Sequence, residues 1–134
     1  YYSITNLVSN TGVVATDTTG VGTARLGPAA AGYGDDKAIF GYGTTNGNFT
    51  GVVSMTNLVS NIGVVATDTT GVGTERYSLA AAGYGSDKAI FGYGYTSGNV
   101  TAITNLVSNT GVVSTNTTGV GTARYYLAAA GYSV

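Results

Sequence analysis

The stretch Ala29-Ala30-Ala31-Gly32-Tyr33-Gly34-Asp35-Asp36-Lys37-Ala38-Ile39-Phe40-Gly41-Tyr42-Gly43 occurs almost unchanged from Ala80 to Gly94. It begins a third time at Ala128-Ala129-Ala130-Gly131-Tyr132. A second phrase keeps the same rhythm: Thr5-Asn6-Leu7-Val8-Ser9-Asn10 returns at Thr56 and at Thr104, spacings of 51 and 48 residues. The missing three residues fall between Gly43 and Met55, which marks that segment as a loop. Periods near 50 point to four-stranded propeller blades, while leucine-rich, ankyrin and tetratricopeptide repeats are much shorter. Helical arrays of similar period need an apolar stripe every 3.6 residues, and none is present.

Composition agrees with a packed β structure. The 134 residues are 43% hydrophobic and 8% charged, with a net charge of −1. Such a near-neutral balance carries no electrostatic footprint for nucleic acid or an anionic membrane. No apolar run approaches the roughly 20 residues that a spanning helix needs. Cys and His are both absent, which rules out a disulfide framework and any thiolate or imidazole metal site; no cofactor is expected.

Each unit divides at its turn signals. Residues 26–32 read as a first strand, with copies opening at Tyr77 and Tyr125. Its alanines are poor strand formers, but small side chains suit strands that crowd around a common axis. Gly34-Asp35-Asp36 is a tight turn, and residues 37–42 are a second strand copied at 88–93. A third strand at 52–59 is echoed at 3–8 and 101–107, and residues 64–67 form a short fourth. The segment Thr69-Thr70-Gly71-Val72-Gly73-Thr74 then crosses to the next unit.

This succession resembles a kelch repeat. The family's paired glycines after its second strand correspond to Gly41-Tyr42-Gly43 and Gly92-Tyr93-Gly94, and its opening arginine to Arg25, Arg76 and Arg124. Val replaces the family's Trp in the fourth strand, and Tyr interrupts the Gly-Gly pair. The resemblance implies an all-β, kelch-like β-propeller segment within one domain. Residues 1–24 would be half a blade, 25–75 and 76–123 full blades, and 124–134 the first strand of a further one. That makes eleven strands, or about 2.75 four-stranded blades. A partial ring exposes edges and a blade face at each end, so closure by self-association is expected. A homodimer is favoured over a trimer, with the C-terminal strand of each chain meeting the N-terminal strands of the other. The composite blade then lacks a copy of residues 37–43.

Charges sit at fixed places. Asp17 precedes Arg25 by eight residues and Asp68 precedes Arg76 by eight, while Asn116 stands ahead of Arg124. These spacings suggest structural ion pairs, Asp17–Arg25 and Asp68–Arg76, pinning the crossing loops. The rival reading presents Arg25, Arg76 and Arg124 to an anionic ligand. Near-identical copies make poor catalysts, because chemistry needs different groups converging on one point; no catalytic residue is expected. Asp35 and Asp36 read as turn residues. In propellers the loops after strands two and four share one face, which nominates Asn46, Asn48, Tyr95 and Asn99, with the arginines, as ligand-face residues. Tyrosine flanked by Asn, Thr and Ser suits carbohydrate, so the first expectation is a structural or interaction module and the alternative a multivalent glycan-binding, adhesin-like or tail-fibre-like module.

Overall fold

A computed structural model describes residues 1–132, none of them helical. The six strands are β1 (Ala29–Tyr33), β2 (Lys37–Gly41), β3 (Thr56–Val59), β4 (Ala80–Tyr84), β5 (Lys88–Gly92) and β6 (Thr104–Val107). They form two three-stranded antiparallel sheets, ordered β1-β2-β3 and β4-β5-β6. Register is identical in the two: Ala31 faces Ile39 and Phe40 faces Asn57, as Ala82 faces Ile90 and Phe91 faces Asn105.

The strands are shorter than the sequence pattern suggests. Residues 26–28 and 52–55 contribute one antiparallel bridge each, Leu26 to Thr44 and Thr44 to Val52. The expected fourth strand, residues 64–67, is likewise reduced to one bridge, Val59 to Val65, and the crossing segment adds another, Thr56 to Thr69. The same two bridges recur as Val8–Val14 and Thr5–Thr18, and as Val107–Val113 and Thr104–Thr117. Residues 125–132, expected as a strand, form no ladder. A strand exists through its partner, and no copy of β2 lies beside this segment.

Each hairpin turns through left-handed residues, Gly34 at φ 55° with Asp35 at 67°, and Gly85 at 56° with Ser86 at 66°. Positive φ at both central positions gives the twist that tight hairpins favour. A costlier choice is Tyr42 at φ 67°, since a bulky side chain is strained there. Packing holds it. Tyr42 is wholly buried, its hydroxyl donates to Val72 O at 3.1 Å, and its ring meets Phe91 edge-on at 5.1 Å.

The core lies between the two sheets, which present different faces to each other. Sheet one offers Ala29, Tyr33 and Ile39; sheet two offers Ala89, Phe91 and Val107. Ile39 and Phe91 occupy adjacent positions in the repeat, so alternation sends them to opposite faces of their sheets. Gly41 is the notch that receives Phe91: a Cβ there would lie 2.7 Å from Phe91 Cζ. The Ala-Ala-Ala-Gly strands stand side by side. A Cβ on Gly83 would meet Gly32 O at 3.7 Å, and one on Gly131 would meet Gly83 O at 2.5 Å. The alanine-rich strand is explained by this approach of backbones, which overrides local propensity.

Candidate functional site

Repetition of the sheets repeats a side-chain cluster at the edge of each. In the first full repeat Arg25 donates to Asn57 Oδ1, and also to Met55 O at 2.8 Å. Asn57 passes the link on, its Nδ2 donating to Asp68 Oδ1 at 2.8 Å and Ala66 O at 3.1 Å. Asp68 closes the set by accepting from Thr23, whose N–H lies at 3.0 Å and hydroxyl at 2.6 Å. The second repeat substitutes Asn116 for the carboxylate and keeps the order of partners, though Asn116 Nδ2 now donates to the Thr74 hydroxyl at 2.7 Å and Arg76 turns to Thr74 O at 3.0 Å. Arg76 donates to Asn105 Oδ1 at 2.7 Å, Asn105 Nδ2 to Asn116 Oδ1 at 3.1 Å, and Thr74 N–H to Asn116 Oδ1 at 3.0 Å.

The expected ion pairs are therefore replaced by another arrangement. Neither Asp17 with Arg25 nor Asp68 with Arg76 forms a pair within 4.0 Å; the two such pairs among the described residues are Lys37–Asp36 and Lys88–Asp87. An asparagine stands between cation and anion, joining Arg25 to Asp68 across one repeat. Sequence spacing paired Arg25 and Arg76 with the Asp before each, whereas the sheet brings Arg25 to the Asp one repeat later and Arg76 to Asn116 in that position. Burial raises the Asp68 carboxyl, but the hydrogen bonds from Thr23 and Asn57 and the Arg25 charge outweigh that and hold it below its ordinary value. Burial lowers the Arg76 guanidinium, which has no carboxylate partner; the ring of Tyr42, 4.5 Å from its centre, supplies part of the compensation.

This geometry does not present the three arginines as one surface. Arg76 is fully buried, Arg25 is half-buried and Arg124 is exposed. Asn46 is an internal loop tie, accepting from Thr50 N and Gly51 N at 3.1 Å each. Asn48 and Asn99 are exposed. Tyr95 differs most from expectation. It lies in an extended segment bridged to Tyr77 and Val100, and its ring is packed between those of Tyr77, at 5.6 Å, and Tyr125, at 5.4 Å.

Those rings belong to a longer strip that sequence spacing hides. Phe49 stacks on Tyr77 at 4.7 Å, and beyond Tyr95 the rings of Tyr125 and Tyr126 follow at 5.0 Å separation. Tyr126 ends the strip 75% exposed. In the sequence Tyr77 and Tyr125-Tyr126 follow the arginines Arg76 and Arg124, but Leu26 follows Arg25, and Phe49 and Tyr95 lie in segments that read as loops, so no regular spacing marks the strip. Elsewhere, the Gly-Tyr pairs of all three copies, Gly32-Tyr33, Gly83-Tyr84 and Gly131-Tyr132, line an open cavity of about 380 Å³ together with Asp35, Ser86 and Lys88. Among the described residues no three acidic side chains gather closely enough to hold a metal ion. No family model matches the chain, and comparison with the curated proteins finds no relative.

Proposed function

We propose that the chain is a non-catalytic structural and interaction module, a kelch-like β-propeller segment that completes a ring by binding a second copy of itself. The observation that carries this reading is the contact made between successive repeats, which is built the same way each time it occurs. Gly43 N donates to Arg76 O at 2.8 Å, and Gly94 N to Arg124 O at 3.0 Å. Ser78 N donates to Gly27 O at 3.1 Å, and Tyr126 N to Ser78 O at 2.9 Å. A rule that joins each unit to the next by one operation generates a ring when the rotation closes.

The number of chains follows from the inner segments. Each chain contributes three of them, at residues 26–32, 77–83 and 125–131. Two chains contribute six and three chains nine, and propellers close with 4–8 blades. Light scattering coupled to size exclusion tests this. Twice the chain mass of 13.4 kDa is the expected result; a folded monomer would sink the proposal.

The aromatic strip favours a second reading, multivalent carbohydrate binding, because an exposed tyrosine ring stacks on a sugar while its hydroxyl bonds to it. A glycan array with wild type and Tyr126→Ala separates the two. Binding that disappears in the variant supports the lectin reading, and silence across all sugars removes it.

A further inference from the structure

The Arg–Asn–Asp–Thr cluster exists twice, with Asn116 in place of the Asp in the second copy, and a third time in two separate halves. One half is N-terminal. Asn6 Nδ2 donates to Asp17 Oδ1 at 2.8 Å and Ala15 O at 3.0 Å, as Asn57 and Asn105 do in their own clusters. Among the described residues no arginine reaches Asn6 Oδ1 and no threonine reaches Asp17. The other half is C-terminal. Arg124 lies 4.0 Å over the ring of Tyr93 and donates to Thr122 O at 3.0 Å, as Arg76 lies over Tyr42 and donates to Thr74 O. Its remaining guanidinium donors, and the N–H and hydroxyl of Thr122, meet no acceptor among the described residues.

Glycines record the same vacancy. A Cβ on Gly22 would collide with Asp68 and Asn57, and one on Gly73 with Asn116 and Asn105. At Gly121, the third such position, the only neighbour is the Tyr93 hydroxyl at 3.7 Å. The backbone series running Gly27, Ser78, Tyr126 is also open, with the Gly27 N–H unused at one end and the Tyr126 carbonyl at the other.

We infer that these halves are the two sides of an intermolecular seam. Arg124 of one chain donates to Asn6 Oδ1 of a second copy, while Thr122 of the first donates to Asp17 of the second. Asn6, Asp17, Thr122 and Arg124 are exposed in the single chain, and the charges are complementary. Two copies related by a twofold axis form this seam twice and leave neither half over. The inference rests on the self-association reading and adds to it the residues that join the chains.

The chain contains no cysteine, which makes the seam directly testable by crosslinking. The double variant Asp17→Cys with Thr122→Cys is oxidised and run on non-reducing gels. Thr23→Cys with Asp68→Cys, the same contact inside one chain, serves as the control and is expected to lose its free thiols without gaining mass. The expected result for the seam variant is a covalent dimer and nothing larger. A dimer by light scattering that does not crosslink, while the control does, overturns the seam and leaves self-association standing. A monomer that does not crosslink overturns both. A ladder of larger species overturns closure by two copies. Arg124→Ala, with its circular dichroism unchanged, is expected to raise the dimer dissociation constant at least roughly tenfold; an unchanged constant contradicts the inference.

Discussion

At the scale of the residue, one asparagine in each repeat decides whether a charge is tolerated. Asn105 is the side-chain acceptor of the buried Arg76, whose Nε already lacks a partner. Asn105→Ala is expected to cost about 1.5–3 kcal/mol, the range for losing a hydrogen bond to a charged group, measured by urea denaturation. Asn6→Ala removes the equivalent side chain where no arginine of the same chain is present, so at concentrations low enough to keep the protein monomeric its stability should change little. Equal losses at the two positions would contradict the role assigned to Asn105. Asp68 carries a pH dependence. Its folded pKa lies below the ordinary 3.8, so its stabilising contribution is complete above about 3.8 and disappears as pH falls through the folded value. Asn116 already meets the equivalent partners without a charge, accepting from Thr74 N–H and Asn105 and donating to the Thr74 hydroxyl. Asp68→Asn should therefore unfold at a lower pH than wild type in an acid titration followed by circular dichroism. An acid midpoint that does not move would show that Asp68 is not the titrating group.

At the scale of the element, each sheet has one face carrying Ile and one carrying Phe, and repeats stack Ile face to Phe face. Phe91 is wholly buried against Gly41, while its counterpart Phe40 is half-buried beside Tyr2, Ile4 and Val21. Gly41→Ala forces a methyl into the Phe91 ring, and overpacking of this kind costs about 1–3 kcal/mol. Gly92→Ala is expected to cost less, because the nearest atom to its Cβ is Thr104 Cγ2 at 3.4 Å. Thermal melts of the two variants compare them, and a Gly92→Ala variant as unstable as Gly41→Ala would refute the stacking order. The hairpins were legible in the sequence because Gly-Asp and Gly-Ser turns are local chemistry. The lengths of the outer strands were not, since each depends on what the neighbouring chain segment pairs with.

At the scale of the whole molecule, the Gly92 notch identifies what the third unit still needs. Beside it a cavity of about 140 Å³ is lined by Ile90, Gly92, Tyr93, Arg124 and Leu127, where the first repeat holds Phe91. A free peptide of sequence Lys-Ala-Ile-Phe-Gly-Tyr-Gly should add as a strand next to residues 125–131. The expected outcome is a saturable rise in melting temperature, absent for the peptide with Ala in place of Phe. If both peptides act alike, the notch is not a Phe site.

What the sequence determined alone was whatever rests on local chemistry and repetition. The near-50-residue period, the glycine turns and the alternation in Lys-Ala-Ile-Phe-Gly specify an all-β chain of stacked units, because each signal acts within a few residues. The Asp–Arg pairing was misjudged from spacing, and the aromatic strip through Tyr95 was invisible. Both join residues that only the sheets bring together. An arginine's reach is set by the strand that lies across from it, and the position eight residues away carries no information about that strand. The tertiary structure also decided which glycine is a notch. Gly41 and Gly92 read alike in the chain, but only Gly41 receives a neighbouring Phe ring within it.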